Sequence, residues 1–121
     1  MTDKPSRLTM PEPTEAQVLS AVLQAINTHK SVAWHQRMNT GAGKLVYKDG
    51  EASRFLRFGF PGCPDIIGQL RDGRFLAVEV KRPSGKLSDE QKQFLALVRD
   101  NGGVSFVARR IEDVFSALGG A

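Results

Sequence analysis

Asp65, Glu79 and Lys81 are the residues of this chain whose types and spacing can support chemistry. Glu79 and Lys81 stand two apart near the end of an otherwise apolar run, Phe75 to Arg82 (FLAVEVKR). If that run is a β-strand, Leu76, Val78 and Val80 face one way while Ala77, Glu79 and Lys81 face the other. An acid and an amine at such a place are costly to bury alone, so they either face water, as on an ordinary amphipathic strand, or form a site. Asp65 lies fourteen positions before Glu79. Between them Asp72 and Gly73 join Asp65–Leu70 (DIIGQL) to the second run as a β-hairpin. Register decides whether the two acids meet. A two-residue loop pairs Leu70 with Phe75 and sends Asp65 to the face away from Glu79. A three-residue loop with Gly73 in the left-handed conformation pairs Leu70 with Arg74 and sets Asp65 across from Glu79. The second register is the one expected.

Two converging carboxylates, with few sulfur or imidazole groups nearby in sequence, suit a hard cation such as Mg2+ or Mn2+ better than zinc. Such an ion polarises a phosphoryl oxygen, and an ammonium at Lys81 on the same face stabilises the charge that develops there. These are the components of phosphodiester hydrolysis. A polyanionic substrate agrees with the charge balance, 17 Lys and Arg against 13 Asp and Glu, net +4, with a pI near 9.6. The excess is concentrated between residues 30 and 57, where Lys30, Arg37, Lys44, Lys48, Arg54 and Arg57 face only Asp49 and Glu51. That stretch is the first candidate for phosphate contacts, although scattered lysines on a solvated face would look the same. Lys86, after Gly85, is a further candidate.

The elements that must position these residues can be read from pattern. Residues 1–13, with three prolines, form a flexible lead-in without an apolar run that could serve as signal peptide or span, so a soluble cytoplasmic protein is expected. Residues 14–121 fit one domain, and 40% hydrophobic content suffices for one core. Thr14 and Gln17 make a capping box that opens a helix to about Thr28. Along it Leu19, Val22 and Ile26 form a stripe, and Glu15 falls on the same inward face, where dipole compensation in the first turn also accounts for it. Ser31 to Asn39 reads as a strand; residues 40–63 read as irregular with one further strand at most. Ser88 and Gln91 cap a second helix that Asn101, Gly102 and Gly103 stop, a strand follows at Val104–Ala108, and Ile111, Val114, Phe115 and Leu118 recur at helical spacing. The expectation is an α/β domain, one mixed sheet covered by helices in the order αβββαβα, with a parallel pair around the second helix. Cys63, the sole cysteine, can form neither an intrachain disulfide nor a thiolate zinc site. His29 and His35 have no acid beside them and read as surface or DNA-contacting residues, whereas Trp34 reads as core.

The run Gly62, Cys63, Pro64, Asp65, then Glu79, Val80, Lys81, then Leu87, Ser88, Asp89, Glu90, Gln91 resembles the PD-(D/E)xK nuclease superfamily. Within it the chain resembles the VRR-NUC (virus-type replication-repair nuclease) family over Trp34 to Ala108, including Arg37, Asn39, Thr40 and Gly41, and follows the pattern only loosely at Val107 to Arg110. The resemblance implies a restriction-endonuclease-like core. It implies that Asp65, Glu79 and the Val80 carbonyl hold Mg2+ or Mn2+, that Glu15 completes the cluster, and that Lys81 is catalytic with Gln91 beside it. It also implies a structure-specific DNA endonuclease, acting on four-way (Holliday) junctions as a homodimer, with Arg37, Asn39, Lys44, Arg54, Arg57 and Lys86 as DNA contacts. A flap or nicking nuclease, or a non-catalytic DNA-binding module on the same fold, are the alternative readings.

Overall fold

The computed structural model describes residues 10–38 and 60–120, together with the backbone of two strands between them, 42–46 and 53–57. The order is α1 (Glu15–Thr28), β1 (Val32–Arg37), β2 (Ala42–Val46), β3 (Ser53–Arg57), β4 (Ile66–Leu70), β5 (Phe75–Val80), α2 (Asp89–Asp100), β6 (Val104–Ala108) and α3 (Ile111–Leu118). Four strands make one mixed sheet in the order β1-β4-β5-β6, antiparallel except for the β5·β6 pair. This is the expected α/β core with one addition. β2 and β3 pair with each other in a separate two-stranded sheet, Ala42 opposite Arg57 and Val46 opposite Ser53. The stretch expected to be irregular with one further strand therefore holds two, β3 near the apolar Phe55 and Leu56 and β2, whose glycine- and lysine-bearing sequence carries no clear alternation to announce it.

Both long helices begin as their sequences dictate. Thr14 Oγ1 accepts from the Gln17 N–H at 3.1 Å while Gln17 Oε1 accepts from the Thr14 N–H at 2.9 Å, and Ser88 and Gln91 repeat the exchange on α2. On α1 the buried stripe is Val18, Val22 and Ile26 rather than one starting at Leu19, which packs half-buried beside it. Residues four apart stack on one face, so Val22 and Ile26 stand as expected while Val18 replaces Leu19 at the start of the stripe. Stepping back four from Val18 reaches Thr14 rather than Glu15, and Glu15 is exposed.

The core lies on both sides of β5. Leu76, Val78 and Val80 pack with Ile66 and Leu70 under α1 and α3. Ala77 packs on the opposite face with Leu95 and Val98 of α2. Every residue of β5 from Leu76 to Val80 is buried, so of the two readings open for this strand the water-facing amphipathic one fails, and it is a central strand covered on both sides. His29, expected at the surface, is also buried: Nδ1 accepts from the Ser31 N–H at 3.1 Å, and Nε2 lies 3.0 Å from the Gly119 carbonyl. Its ring stacks on Phe115 and ties the end of α1 to the end of α3. Trp34 departs the other way, being 45% exposed on β1. At the other end of the lead-in, Glu12 accepts from the Ser84 N–H and hydroxyl at 3.2 and 2.7 Å and lies 3.5 Å from the Arg82 Nε, so residues 10–13 are tied to the loop after β5.

Two glycines fix the hairpin that matters. Gly73 has φ +97°, and the Leu70 N–H donates to the Arg74 carbonyl at 2.9 Å, the three-residue turn expected. Gly62 has φ +83°, and a Cβ there would run into the Glu90 carbonyl. That close approach seats the turn leading to Asp65 against the first turn of α2. Replacing Gly62 with Ala should lower unfolding free energy by about 1–3 kcal/mol, from overpacking and left-handed strain, read as a shift in denaturation midpoint at constant m.

Candidate active site

The register Gln69↔Phe75 and Ile66↔Val78 places Asp65 at the end of β4, opposite Glu79. Its Oδ2 accepts from the Val80 N–H at 2.8 Å, which aims the carboxylate across the strand end. Met38, just after β1, donates its N–H to the Asp65 carbonyl at 2.7 Å, so Asp65 is held from both neighbouring strands. Glu79 is 2% exposed. One oxygen, Oε2, accepts from Gln91 Nε2 at 2.9 Å and lies 3.9 Å from the Lys81 ammonium. The other, Oε1, is buried without a hydrogen-bond partner.

Gln91 performs two roles at once. Its Oε1 is taken by the Ser88 N–H in the capping box, so its amide nitrogen is the group left to face Glu79. The cap that starts α2 thereby fixes the orientation of a side chain in the site. Lys81 is mostly enclosed, with 15% of its side chain exposed. The loop that follows it is fastened by Arg109, whose Nη1 donates to the carbonyls of Arg82, Pro83 and Gly85 at 2.9, 3.1 and 2.7 Å. Sequence reasoning gave Arg109 no part in the site. Its signal exists only in three dimensions, because β6 runs parallel beside β5 and ends next to that loop.

The electrostatics are those of a crowded acid pair. Burial first, then the neighbouring Asp65 charge and a hydrogen bond to its carboxyl, push the Glu79 carboxyl from about 4.5 up to about 9, and Glu15 adds a smaller push in the same direction. Lys81 opposes these effects without cancelling them, as expected for a partner at 3.9 Å. A carboxyl held that high keeps its proton near neutral pH until positive charge is brought beside it. Burial raises the Cys63 thiol, and the same two acids add to that, so it is not poised as a nucleophile.

The residues fit a divalent cation. An unpartnered buried Glu79 Oε1, a converging Asp65 and a proton standing in for positive charge are the features of an oxygen donor set. Among the described residues no three His, Cys, Asp or Glu gather tightly enough to enclose an ion. Asp65 and Glu79 form the set, with Glu15 exposed and more loosely associated. Two carboxylates with open positions suit Mg2+, which keeps several waters, better than Ca2+. Val80 stands between Glu79 and Lys81 at the end of β5.

The structure brings together Asp65, Glu79, Lys81 and Gln91, with Glu15 at the margin. Arg37 and Lys86 are exposed, Arg37 at the Asp65 end of β1, where it pairs with Ile66. Asn39 and the side chains of Lys44, Arg54 and Arg57 lie outside the described residues. The larger concavities sit elsewhere. A cleft of about 570 Å³ lies between the tip of the β4–β5 hairpin and the end of α2, lined by residues such as Phe75 and Leu97, and has no cluster of acids. The acids lie instead at the end of the inner strand β5, beside the start of β4.

A VRR-NUC domain model matches residues 13–110. The chain belongs to the VRR-NUC family. It has the nuclease-type fold of that family, and the matched span contains every element from α1 through β6. No curated protein and no solved structure shows a significant match. Among the described residues of this VRR-NUC domain no helix is long and apolar enough to cross a membrane.

The acid pair sets a pH signature. A carboxyl whose folded pKa is raised binds more protons in the native state, so its stabilising contribution is complete below about pH 4.5 and is lost as pH rises toward about 9. In chelator, the thermal midpoint should contain a component that falls between these limits. Glu79→Gln should flatten it, and Mn2+ should raise the midpoint of the native protein most at the alkaline end. A wild-type profile identical to that of Glu79→Gln would contradict the crowded pair.

Proposed function

We propose that this protein is a Mg2+- or Mn2+-dependent deoxyribonuclease that hydrolyses phosphodiester bonds in branched DNA, four-way junctions foremost, and works as a homodimer. The observation that carries this reading is the meeting of Asp65 and Glu79, one buried oxygen unpartnered, beside the Lys81 ammonium. A divalent cation held by Asp65 and Glu79, with the Val80 carbonyl and Glu15 as further donors, would supply Lewis-acid polarisation of the phosphoryl group and a more acidic attacking water.

The chain's own residues supply the rest. Asp65 is oriented by the Val80 N–H and Glu79 by Gln91, so neither carboxylate must reorganise when substrate arrives. Lys81, enclosed and therefore weakly screened, stabilises the negative charge gathering on the phosphoryl oxygens. Exposed Arg37 and Lys86 bind backbone phosphates, with Asn39, Lys44, Arg54 and Arg57 as further contacts. Each chain carries one such site. Cutting two strands of a junction symmetrically takes two, which supports a two-fold dimer.

With labelled junction, flap, duplex and single-stranded DNA, the protein should cleave branched substrates in Mg2+ or Mn2+ and none in chelator. Asp65→Ala and Glu79→Ala should each reduce cleavage on the order of 10³-fold or more while DNA affinity stays nearly unchanged. Gln91→Ala should cost roughly 10- to 100-fold. Full cleavage by the Asp65 and Glu79 variants would end the catalytic assignment. Paired cuts by a species of monomeric mass would end the dimer.

A further inference from the structure

α2 covers only half of its face of the sheet. It packs on β5 and β6 through Ala77, Leu95, Val98 and Val107. Over β1 and β4 no described helix packs on the same face. The register sets Trp34, Gln69 and Phe75 in one row across three strands, with Gln36 and Ile67 in the next. Asp65 and Glu79 follow one row further. Trp34, Gln36 and Gln69 are exposed and Ile67 is half-buried, so the row leading to the acids is largely accessible.

Trp34 is held there in a particular way. Its indole N–H donates to Gln69 Oε1 at 3.0 Å, and Gln69 Nε2 donates to the Gly73 carbonyl at 3.1 Å. The ring is clamped by its edge to the hairpin turn that also sets the register of Asp65 and Glu79. With its only donor satisfied, what the indole offers to solvent is its π-face. A large apolar ring 45% exposed, fixed in orientation and flanked by polar side chains, is poorly explained by packing within this chain.

We propose that this half of the sheet is the bed for an unpaired stretch of the nucleic-acid substrate, with Trp34 stacking on a nucleobase. The proposal rests on the nuclease reading and adds to it that the bound branched DNA offers unpaired bases beside the bond cleaved, at the opened centre of a junction or in a single-stranded arm. From Gln69 to Asp65 along β4 is four residues, about 13 Å at strand rise. That distance matches about four stacked nucleotides at 3.4 Å each. Exposed Arg37 pairs with Ile66 and so faces the other side of the sheet, where it can meet phosphates only at the strand end beside the acids, not along the row. A paired duplex does not satisfy the ring, because its bases have their π-faces occupied by neighbours, whereas unpaired bases can stack on an aromatic platform.

The chain has one tryptophan, so the ring reports on itself. Titrate the full-length protein in chelator, where no cleavage is expected, with a blunt duplex and with the same duplex carrying a single-stranded tail. Tryptophan emission should be quenched by the tailed DNA and little changed by the blunt one. Trp34→Ala should weaken affinity for the tailed DNA roughly 5- to 150-fold and leave affinity for the blunt duplex unaltered, with Trp34→Phe retaining most of the preference. Thermal midpoints of both variants separate loss of fold from loss of contact. Equal quenching by both DNAs, or an unchanged preference in a folded Trp34→Ala, overturns the proposal. Emission that shifts with protein concentration alone and ignores DNA also overturns it, by assigning the face to a second copy. Cleavage with Mg2+ is scored separately: normal cleavage without tail-dependent quenching sinks this inference and spares the nuclease reading, and tail-dependent quenching without any cleavage does the reverse.

Discussion

The confinement of one carboxyl group, that of Glu79, organises this molecule. It sits on the central strand, covered by helices on both faces, 2% exposed and across from a second acid. An isolated carboxylate at such a position is disfavoured by desolvation and by its neighbour, and the chain answers with a proton, a glutamine and a lysine. Each of those responses is positioned by a different element. The β4–β5 turn brings Asp65, β5 itself brings Lys81 and the first turn of α2 brings Gln91. A protein under selection for stability alone gains nothing from this arrangement that an apolar side chain would not give more simply. A buried acid with an unpartnered oxygen makes physical sense as one half of a cation site.

Scaffold and site share parts to an unusual degree. The Ser88–Gln91 capping box starts α2 and also presents the Gln91 amide to Glu79. The Gly73 turn sets the hairpin register and also anchors the Gln69 amide that clamps Trp34. Arg109, at the end of β6, binds three carbonyls of the loop that follows Lys81, so the parallel crossover feeds back onto the site. Local hydrogen-bonding devices worth about 1 kcal/mol each in ordinary helices and turns here also fix the geometry of functional groups. Among the described residues α2 covers the β5–β6 half of its face, and the row of Trp34 and Gln69 on the other half leads to the acids.

Much of this was legible in the residues. Ser88 and Gln91, Thr14 and Gln17, and Asp72 with Gly73 are local signals, and local signals transfer because the groups that satisfy them lie within three or four positions in sequence. The three-residue turn followed from asking which register would let Asp65 meet Glu79. What failed was equally specific. His29 and Trp34 were assigned to the wrong environments, since a histidine three residues before a strand and a tryptophan within it look alike in sequence, and only the docking of α3 buries one while the partial reach of α2 exposes the other. Of the β2–β3 hairpin, β2 escaped because its composition carries no alternation.

By itself, then, the sequence determined the element types, the caps, the hairpin register and the membership of the acid pair, all of them consequences of spacing along the chain. Tertiary structure alone decided which face of β5 would be covered, hence that Glu79 is buried and its carboxyl raised to about 9, and that α1 presents Val18 to the core and leaves Glu15 outside. The physical reason is that burial is a property of what packs on top. Desolvation depends on atoms brought from distant parts of the chain, and no count of residues between Asp65 and Glu79 contains them.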